Sequence, residues 1–590
     1  MVTSARDVVH PLSRRGRSRA SKDENPDKTV SICKDFGLYQ ICLLLATQLS
    51  YIPVTASMLS ASFLKMSEDG CVAMCAAAAT AAMTASDPPI DNSTLPSATT
   101  VDHVTCAMDK SMEPIVAPGE FHSILVDWRI ACTADMAGIT TTFSTVIMVG
   151  GFIGSVTTGF LADRFGRKPV VIGSLILLSL CNAALLGVGH LPFWAAFPVY
   201  LLLGASAGGY MTTNLVLVVE SLCSPSSRLL VVALNGWSLA MVATAGIAYL
   251  LPYWFHFHLA VSIIALVCAV ALYFIADESL RWLKSSMRVD RFDASSARLT
   301  RFNRRKNNND VVLLVQLEKE SSTSAASTAL LQQQEMGNGV ESSRPPSASS
   351  GPPKTPSYLD LLAEKTLRPR LLSLAYCFLV SSIVSFGLYF GVDSLSGNRY
   401  LNMAVMGMAK FCLGLLPFIV SSCLSRKKVS LISVGITATA AWAIVVCICV
   451  GLKTSHVSLT ALSILITAAL DPTWKIAHLY STELFPTTMR NMARGLCQAA
   501  ARTGSVLAPV IAHLRHGSYP YLSFGLYAVL LTGQFVITAI FMPKEVSSNL
   551  MDRLPVVEIT EPKRRRDIVD DDARSSEELS QLSETVPLTP

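Results

Sequence analysis

Charge is scarce in this chain. Asp, Glu, Lys and Arg make up 15% of its 590 residues, whereas a soluble globular domain is about a quarter charged. With 51% hydrophobic residues, that deficit excludes a water-soluble enzyme and a chain disordered throughout. None of the fifteen cysteines forms a CxxC pair, so no metal site is expected. No GxxxxGK[ST] stretch occurs, which removes P-loop ATP hydrolysis. No nucleophile with a base can be assembled from the loops, so neither an enzyme nor a cofactor is expected. The net charge of +6 is no nucleic-acid signal, because the basic residues lie in short clusters beside apolar runs.

Apolar residues gather into twelve runs, at 37–61, 138–162, 169–188, 192–219, 229–251, 258–276, 371–392, 400–424, 429–451, 457–480, 492–514 and 521–542. About 20 residues cross a bilayer as a helix, so the spacing predicts an all-α membrane protein with twelve transmembrane helices. No cleavable signal peptide is expected before them: the first 30 residues are polar and the first run is too long for an h-region. Arg14, Arg15, Arg17, Arg19 and Lys22 precede span one; Arg164, Arg167 and Lys168 follow span two; Arg426, Lys427 and Lys428 follow span eight; Lys563 to Arg566 follow span twelve. All fall on one side if the spans alternate. By the positive-inside rule that side is the cytoplasm, with both termini there.

The organisation that follows is a cytoplasmic tail (1–36), a six-helix bundle (37–283) with an outer loop at 62–137, a cytoplasmic linker (284–368), a second six-helix bundle (369–545) and a cytoplasmic tail (546–590). The outer loop is acidic and holds Cys71, Cys75, Cys106 and Cys132, which allow three disulfide connectivities. Asn92-Ser93-Thr94 is a glycosylation acceptor on the same side; both features favour the plasma membrane. The linker is rich in Ser, Asn, Gln and Pro and reads as mostly disordered.

Gly159, Asp163, Arg164, Gly166, Arg167 and Lys168 stand in the spacing G-x-x-x-D-R-x-G-R-K at the inner end of span two. Gly166 permits a tight turn. Asp163 is expected to accept hydrogen bonds at the N-terminus of the next helix, and the arginines to pair with Glu220 and Glu278 as an inner gate. Four charges lie inside spans: Lys410 in span eight, Asp471 and Lys475 in span ten, Arg502 in span eleven. Such residues cost about 2.5–3.5 kcal/mol at the centre of a span on insertion scales, so they need partners or a wet cavity. Asp471 and Lys475 are i and i+4 and can pair on one face, with His478 near it. Lys410 and Arg502 are then left for an anionic substrate, Arg502 through a bidentate carboxylate contact. The competing expectation is an ion-pair network with Lys410 snorkelling to an interface. Trp237, Phe386, Tyr389 and Trp474 are candidates to stack on a flat ligand. Trp194, Trp254, His256 and His258 read as interfacial. Gly150 with Gly154, and Gly204 with Gly208, allow close helix approach.

The gate pattern resembles the major facilitator superfamily. Glu278-Ser279-Leu280-Arg281-Trp282 is similar to the E-S-P-R-W stretch of its organic cation, anion and carnitine transporters (solute carrier family 22). Glu483-Leu484-Phe485-Pro486-Thr487 with Arg490-Asn491 resembles their E-L-Y-P-T-x-x-R-N. Ser396-Gly397-Asn398, Asp127-Trp128 with Cys132, and Ala501-Arg502-Thr503-Gly504 match as well. The resemblance runs from about 36 to 545. It implies two six-helix bundles around one mid-membrane cavity and adds Arg281, Glu483 and Arg490 to the gate. It also implies that Arg502 stands where organic anion transporters carry arginine and many cation transporters carry aspartate. Lys475 falls on a pocket-lining position, Trp237 and Phe386 on pocket aromatics, and Lys410 one turn before an anion-transporter lysine. The chain departs at Leu280 (proline in the family), at Tyr200–Gly204 (no arginine) and at Cys423–Lys428, a second copy of the gate without its aspartate. The expected function is alternating-access transport of small organic ions across a lipid bilayer, anions favoured. The alternatives are a cation or carnitine-like zwitterion carrier, and a non-transporting receptor on the same fold. Nothing in the chain names a coupling ion.

Overall fold

The computed structural model describes residues 37–66, 70–74, 76, 119–133, 135–222, 225–286, 288–303, 358–392, 395–420, 423–452, 456–485, 487–516 and 521–543. Cys75, Asn92 and Cys106 lie outside them, as do the N- and C-terminal tails. Twelve long helices dominate: α1 (Leu38–Phe63), α2 (Met136–Phe165), α3 (Arg167–Val188), α4 (Phe193–Glu220), α5 (Leu230–Leu250), α6 (Trp254–Ile275), α7 (Arg368–Phe390), α8 (Arg399–Ile419), α9 (Arg426–Cys449), α10 (Val457–Glu483), α11 (Thr487–His513) and α12 (Tyr521–Phe541). Among the described residues, eleven are long and apolar enough to cross a membrane. The exception is α11, read above as an apolar run. Arg490, Arg494, Gln498 and Arg502 fall within its 27 residues, and it stays in the bundle because α7 and α2 cover it.

The packing repeats. In the first six helices α2 lies on α4, α3 on α4, α3 on α6, and α1 on α5; in the last six α8 lies on α10, α9 on α10, α9 on α12, and α7 on α11. Adding six to each number turns the first set into the second. The two sets meet through α5 with α8 and through α2 with α11, two contacts the same operation exchanges. This is the packing of a pseudo-two-fold pair of bundles. Ile263, Leu266, Val267 and Val270 of α6 and Val529, Val536 and Ile540 of α12 are exposed, an apolar belt suited to lipid tails rather than water.

Glycine sets one contact. A Cβ at Gly150 would stand 2.0 Å from the Leu201 carbonyl oxygen, and one at Gly204 2.0 Å from that of Ile147. Only bare backbones let α2 and α4 approach so closely.

At one end of the bundle Cys71 is bonded to Cys132. The segment there is bound to the α5–α6 turn: the His122 amide donates to Pro252 O at 2.7 Å, and the Trp254 amide to His122 O at 3.0 Å. Asp127 accepts from His122 Nε2 and from Trp254 Nε1, each at 2.7 Å. Burial raises the Asp127 carboxyl, but these hydrogen bonds and that of Tyr253 outweigh it and hold its pKa below the ordinary range. Trp254 is therefore buried rather than an interfacial anchor, because Asp127 holds its N–H inward. His258 is buried as well, bonded to Asn182 Oδ1 at 2.8 Å, while Trp194 is exposed.

The linker is more ordered than its composition indicates. It contains a helix at Val289–Asn303 that bolts two spans together. Asn303 Oδ1 accepts the Tyr39 amide at 2.9 Å at the start of α1. Arg298 donates to Asp277 at 3.0 Å and to Phe274 O at the end of α6. Burial keeps the Asp277 carboxyl above its ordinary pKa despite that partner. Residues 304–357 of the linker lie outside the described ones.

Candidate functional site

The four charges inside the spans gather at the interface between the halves. Asp471 on α10 binds Lys410 of α8, Oδ1 to Nζ at 2.6 Å. Lys475, one turn along α10, lies 3.7 Å from Oδ2 and donates to the Ala233 carbonyl of the first half at 2.8 Å. The i, i+4 pair read from spacing is present, but within an ion-pair network in which Lys410 is the nearer partner. Lys410 neither snorkels nor stays unpaired; it is buried and is the main partner of Asp471. The near helix approach depends on Gly414, where a Cβ would stand 2.2 Å from Asp471 Oδ2. His478 turns away from the triad to Phe378, Trp474 and Gln498.

Arg502 on α11 is 8% exposed and faces the first half, its Nη2 3.9 Å from Met211 Sδ on α4. Tyr51 of α1 lies within its electrostatic reach. No acid stands at ion-pair distance from it among the described residues. The guanidinium is buried, and no acid among the described residues neutralises it. Trp237 of α5 meets Phe386 and Tyr389 of α7, with ring centroids 5.8 and 6.5 Å away. The Tyr389 hydroxyl also bonds Lys410, so this aromatic trio adjoins the triad. Trp474 belongs elsewhere, 5.6 Å from both Phe378 and His478 within the second half.

The end carrying the gate motif is built differently from the sequence expectation. Gly166 turns the chain at φ +110°, a region essentially reserved for glycine. Glu278, arriving from beyond α6, takes the helix-capping role assigned to Asp163. Its Oε1 accepts the Arg167 amide at 2.7 Å and the Lys168 amide at 3.3 Å, where the positive end of the α3 dipole favours an anion. Asp163 is mostly exposed and pairs with Arg167 at 3.1 Å. The Arg167 guanidinium also meets Glu220 at the end of α4 at 3.3 Å. Arg164 is exposed over the Phe165 ring. Arg281 lines a small cleft with Glu220 and Glu278. These ion pairs tie helix ends within the first half. Across the halves, Glu220 also lies within electrostatic reach of Arg494 of α11. The side chains of Glu483 and Arg490 lie outside the described residues.

The opposite end holds a contact that sequence reasoning missed. Arg399, the first residue of α8, donates to Glu120 Oε2 and to Lys65 O, each at 2.7 Å, joining second half to first. Tyr400 stacks on Phe63 at 5.9 Å, and Ser62 Oγ donates to Tyr389 O at 3.2 Å. One signal was available. Asn398 caps α8, its Oδ1 accepting the Tyr400 and Leu401 amides, and a cation directly after a helix cap opposes the dipole unless an acid meets it.

Helices exchanged by an internal two-fold, with surplus buried positive charge where the halves meet, define a membrane carrier. A family model for the major facilitator superfamily matches residues 120–509, and the chain belongs to that superfamily of multi-pass membrane transporters. Among curated relatives, the chain is 25% identical to an organic cation transporter-like protein of Drosophila melanogaster, over 66% of this chain and 65% of that one, just under two thirds of its length. It is 24% identical to solute carrier family 22 member 6 of Mus musculus, over 73% of each chain. It is 27% identical to solute carrier family 22 member 15 of Xenopus tropicalis, over 75% and 76%. Among solved structures it resembles the proton:xylose symporter XylE bound to 6-bromo-6-deoxy-D-glucose, with TM-score 0.54, 14% identity and coverage of 87% and 98%. It also resembles the partially occluded inward-open form of the E. coli xylose transporter, with TM-score 0.51, 13% identity and coverage of 86% and 100%. At these identities the solved structures establish the fold alone.

Proposed function

We propose that the protein carries small organic anions across the plasma membrane by alternating access, with Arg502 as the main contact for the cargo's carboxylate. One observation carries this reading: two buried lysines, Lys410 and Lys475, hold the buried Asp471, while a third buried cation at the interface between the halves, Arg502, has no acid at ion-pair distance among the described residues. Asp471 is held by two lysines, which offset its charge against a cationic cargo, although its Oδ2 has no hydrogen-bond partner among the described residues. Arg502 lacks an acid partner, and a buried charge needs one. An anionic cargo supplies it, and Trp237, Phe386 and Tyr389 offer flat apolar surface beside the Asp471 triad. The gate motif, the Glu120–Arg399 contact and the relation between the halves support alternate opening of the two ends. Positive-inside flanks favour cytoplasmic termini. The two bundles divided at 284–368, and a sugar on Asn92 at the disulfide end, belong to the same proposal.

The test is uptake into proteoliposomes of a dicarboxylate, an aromatic carboxylate, a quaternary ammonium and carnitine. Wild type takes up the carboxylates. Arg502→Ala removes a charge-assisted contact of about 1.5–3 kcal/mol, which lowers their uptake by roughly 10–150-fold at unchanged protein yield. Arg502→Asp moves the preference toward the ammonium. Carboxylate uptake that survives Arg502→Ala undiminished overturns the proposal.

A further inference from the structure

Near Arg502 one buried polar atom has no hydrogen-bond partner among the described residues. Asn214 on α4 is 2% exposed, and its Oδ1 has no hydrogen-bond partner among the described residues. Folded proteins leave few buried acceptors in that state, because the lost hydration is not replaced. The interaction of Asn214 with the buried Tyr51 hydroxyl accounts for one end of the amide and leaves its oxygen over. Asn214 sits three residues beyond Met211, so the two share one face of α4 on successive turns. Met211 is the residue that touches the Arg502 guanidinium. Tyr51 of α1 lies across from both, hydrogen-bonded to Asn214 and within the field of Arg502. On the Tyr51 face of α1, one turn along, Thr55 Oγ1 is likewise buried with no partner among the described residues.

We infer that Asn214 is a second recognition point beside Arg502, and that the preferred cargo is an organic anion bearing a hydroxyl or amino donor close to its carboxylate. The inference rests on the anion reading above. Three residues of helix rise about 4.5 Å, so one small molecule can place a carboxylate at Arg502 and a donor at Asn214 Oδ1 when the two groups are a few bonds apart. A 2-hydroxy acid has that spacing. An anion without the donor leaves the amide oxygen as orphaned as before. A site built around a buried polar group discriminates strongly against a ligand that cannot satisfy it.

The test compares mandelate with phenylacetate, which differ by the 2-hydroxyl, in proteoliposomes carrying wild type, Asn214→Leu, Asn214→Ala or Arg502→Ala. Wild type takes up mandelate about ten-fold more efficiently, the ratio expected of one well-made hydrogen bond to a buried group. In Asn214→Leu and Asn214→Ala that ratio collapses to about one. Arg502→Ala slows both acids in parallel. A merely structural asparagine lowers both rates together and leaves the ratio intact, which overturns the inference while the anion reading stands. Equal uptake of the two acids by wild type overturns it as well. Uptake of neither acid by wild type overturns the anion reading and this inference with it. The alanine variant repeats the comparison if the bulk of leucine blocks assembly.

Discussion

Replacing Asp471 with asparagine tests the charge arrangement at its centre. The side chain keeps its shape and loses its charge, so Lys410 and Lys475 are left buried without an anion. Removing one partner of a buried ion pair typically costs about 3–5 kcal/mol, because the other charge cannot return to water. The geometry ranks the three single variants. Asp471→Asn strands two cations and costs most. Lys410→Met removes the 2.6 Å partner and leaves Asp471 with Lys475 at 3.7 Å, an intermediate loss. Lys475→Met costs least: Lys410 still neutralises Asp471, and what disappears is the longer ion pair at 3.7 Å and one hydrogen bond to Ala233 O, the latter worth about 1 kcal/mol. The double variant Asp471→Asn with Lys410→Met recovers much of the single loss, since removing a pair together is often close to neutral. The assay is unfolding of purified protein in detergent, followed by tryptophan fluorescence. A Lys475→Met loss as large as that of Asp471→Asn, or an Asp471→Asn variant as stable as wild type, refutes the reasoning.

Two further predictions concern the disulfide end. Glu120→Gln weakens a clasp between the halves, and an ion pair of this exposure is worth about 1 kcal/mol. A cysteine installed at Thr140, in the cleft between α1, α2, α7 and α11, should then react several-fold faster with a charged thiol reagent. Arg399→Gln should do the same and add nothing to Glu120→Gln; unchanged labelling counts against the clasp. Asp127 sets an acid limit. Its pKa is held below the ordinary carboxylate range, so its contribution to stability is complete above about pH 4, the unfolded value. It is lost as pH falls through the lower folded value. Unfolding followed between pH 6 and 3 should steepen at the acid end in wild type and flatten in Asp127→Asn; parallel curves remove Asp127 as the cause.

The spans were legible because membrane burial imposes one demand, about 20 apolar residues, that leaves a direct trace in sequence. The start of α11 was missed by the apolar run at 492–514, since a helix enclosed by its neighbours need not be apolar all round and its first turns carry Arg490 and Arg494. The Asp471–Lys475 pair was legible, but the closer partner, Lys410, was not. Spacing puts Asp471 and Lys475 on one face, but which lysine approaches more closely depends on how near α8 comes to α10, and that is set by Gly414. Capping of α3 was misread for a related reason. Asp163 is the nearer acid in sequence, yet Glu278, more than a hundred residues later, is brought to the α3 amides by the packing of α6 on α3. Short-range pattern names the residue types a site requires. Long-range packing decides which copy is used.

That distinction bears on the second copy of the gate motif, Cys423–Lys428, which lacks the aspartate of the first. The operation relating the halves carries α3 and α6 onto α9 and α12. In the first half the two helix ends are tied by an anion: Glu278 from beyond α6 meets the free amides at the start of α3. In the second half Lys427, in the first turn of α9, donates to the Ala539 carbonyl near the end of α12 at 2.7 Å. A cation meets the negative end of a helix dipole there, in place of an anion meeting a positive one. Both links join the same pair of ends, so the missing aspartate need not mean a missing tie. What differs is strength. Glu278 accepts two amides at the turn, while Lys427 makes one exposed hydrogen bond, which water competes for. The second half is therefore the looser of the two at this end, and opening of this end should begin there, with the α9–α12 ends parting before those of α3 and α6.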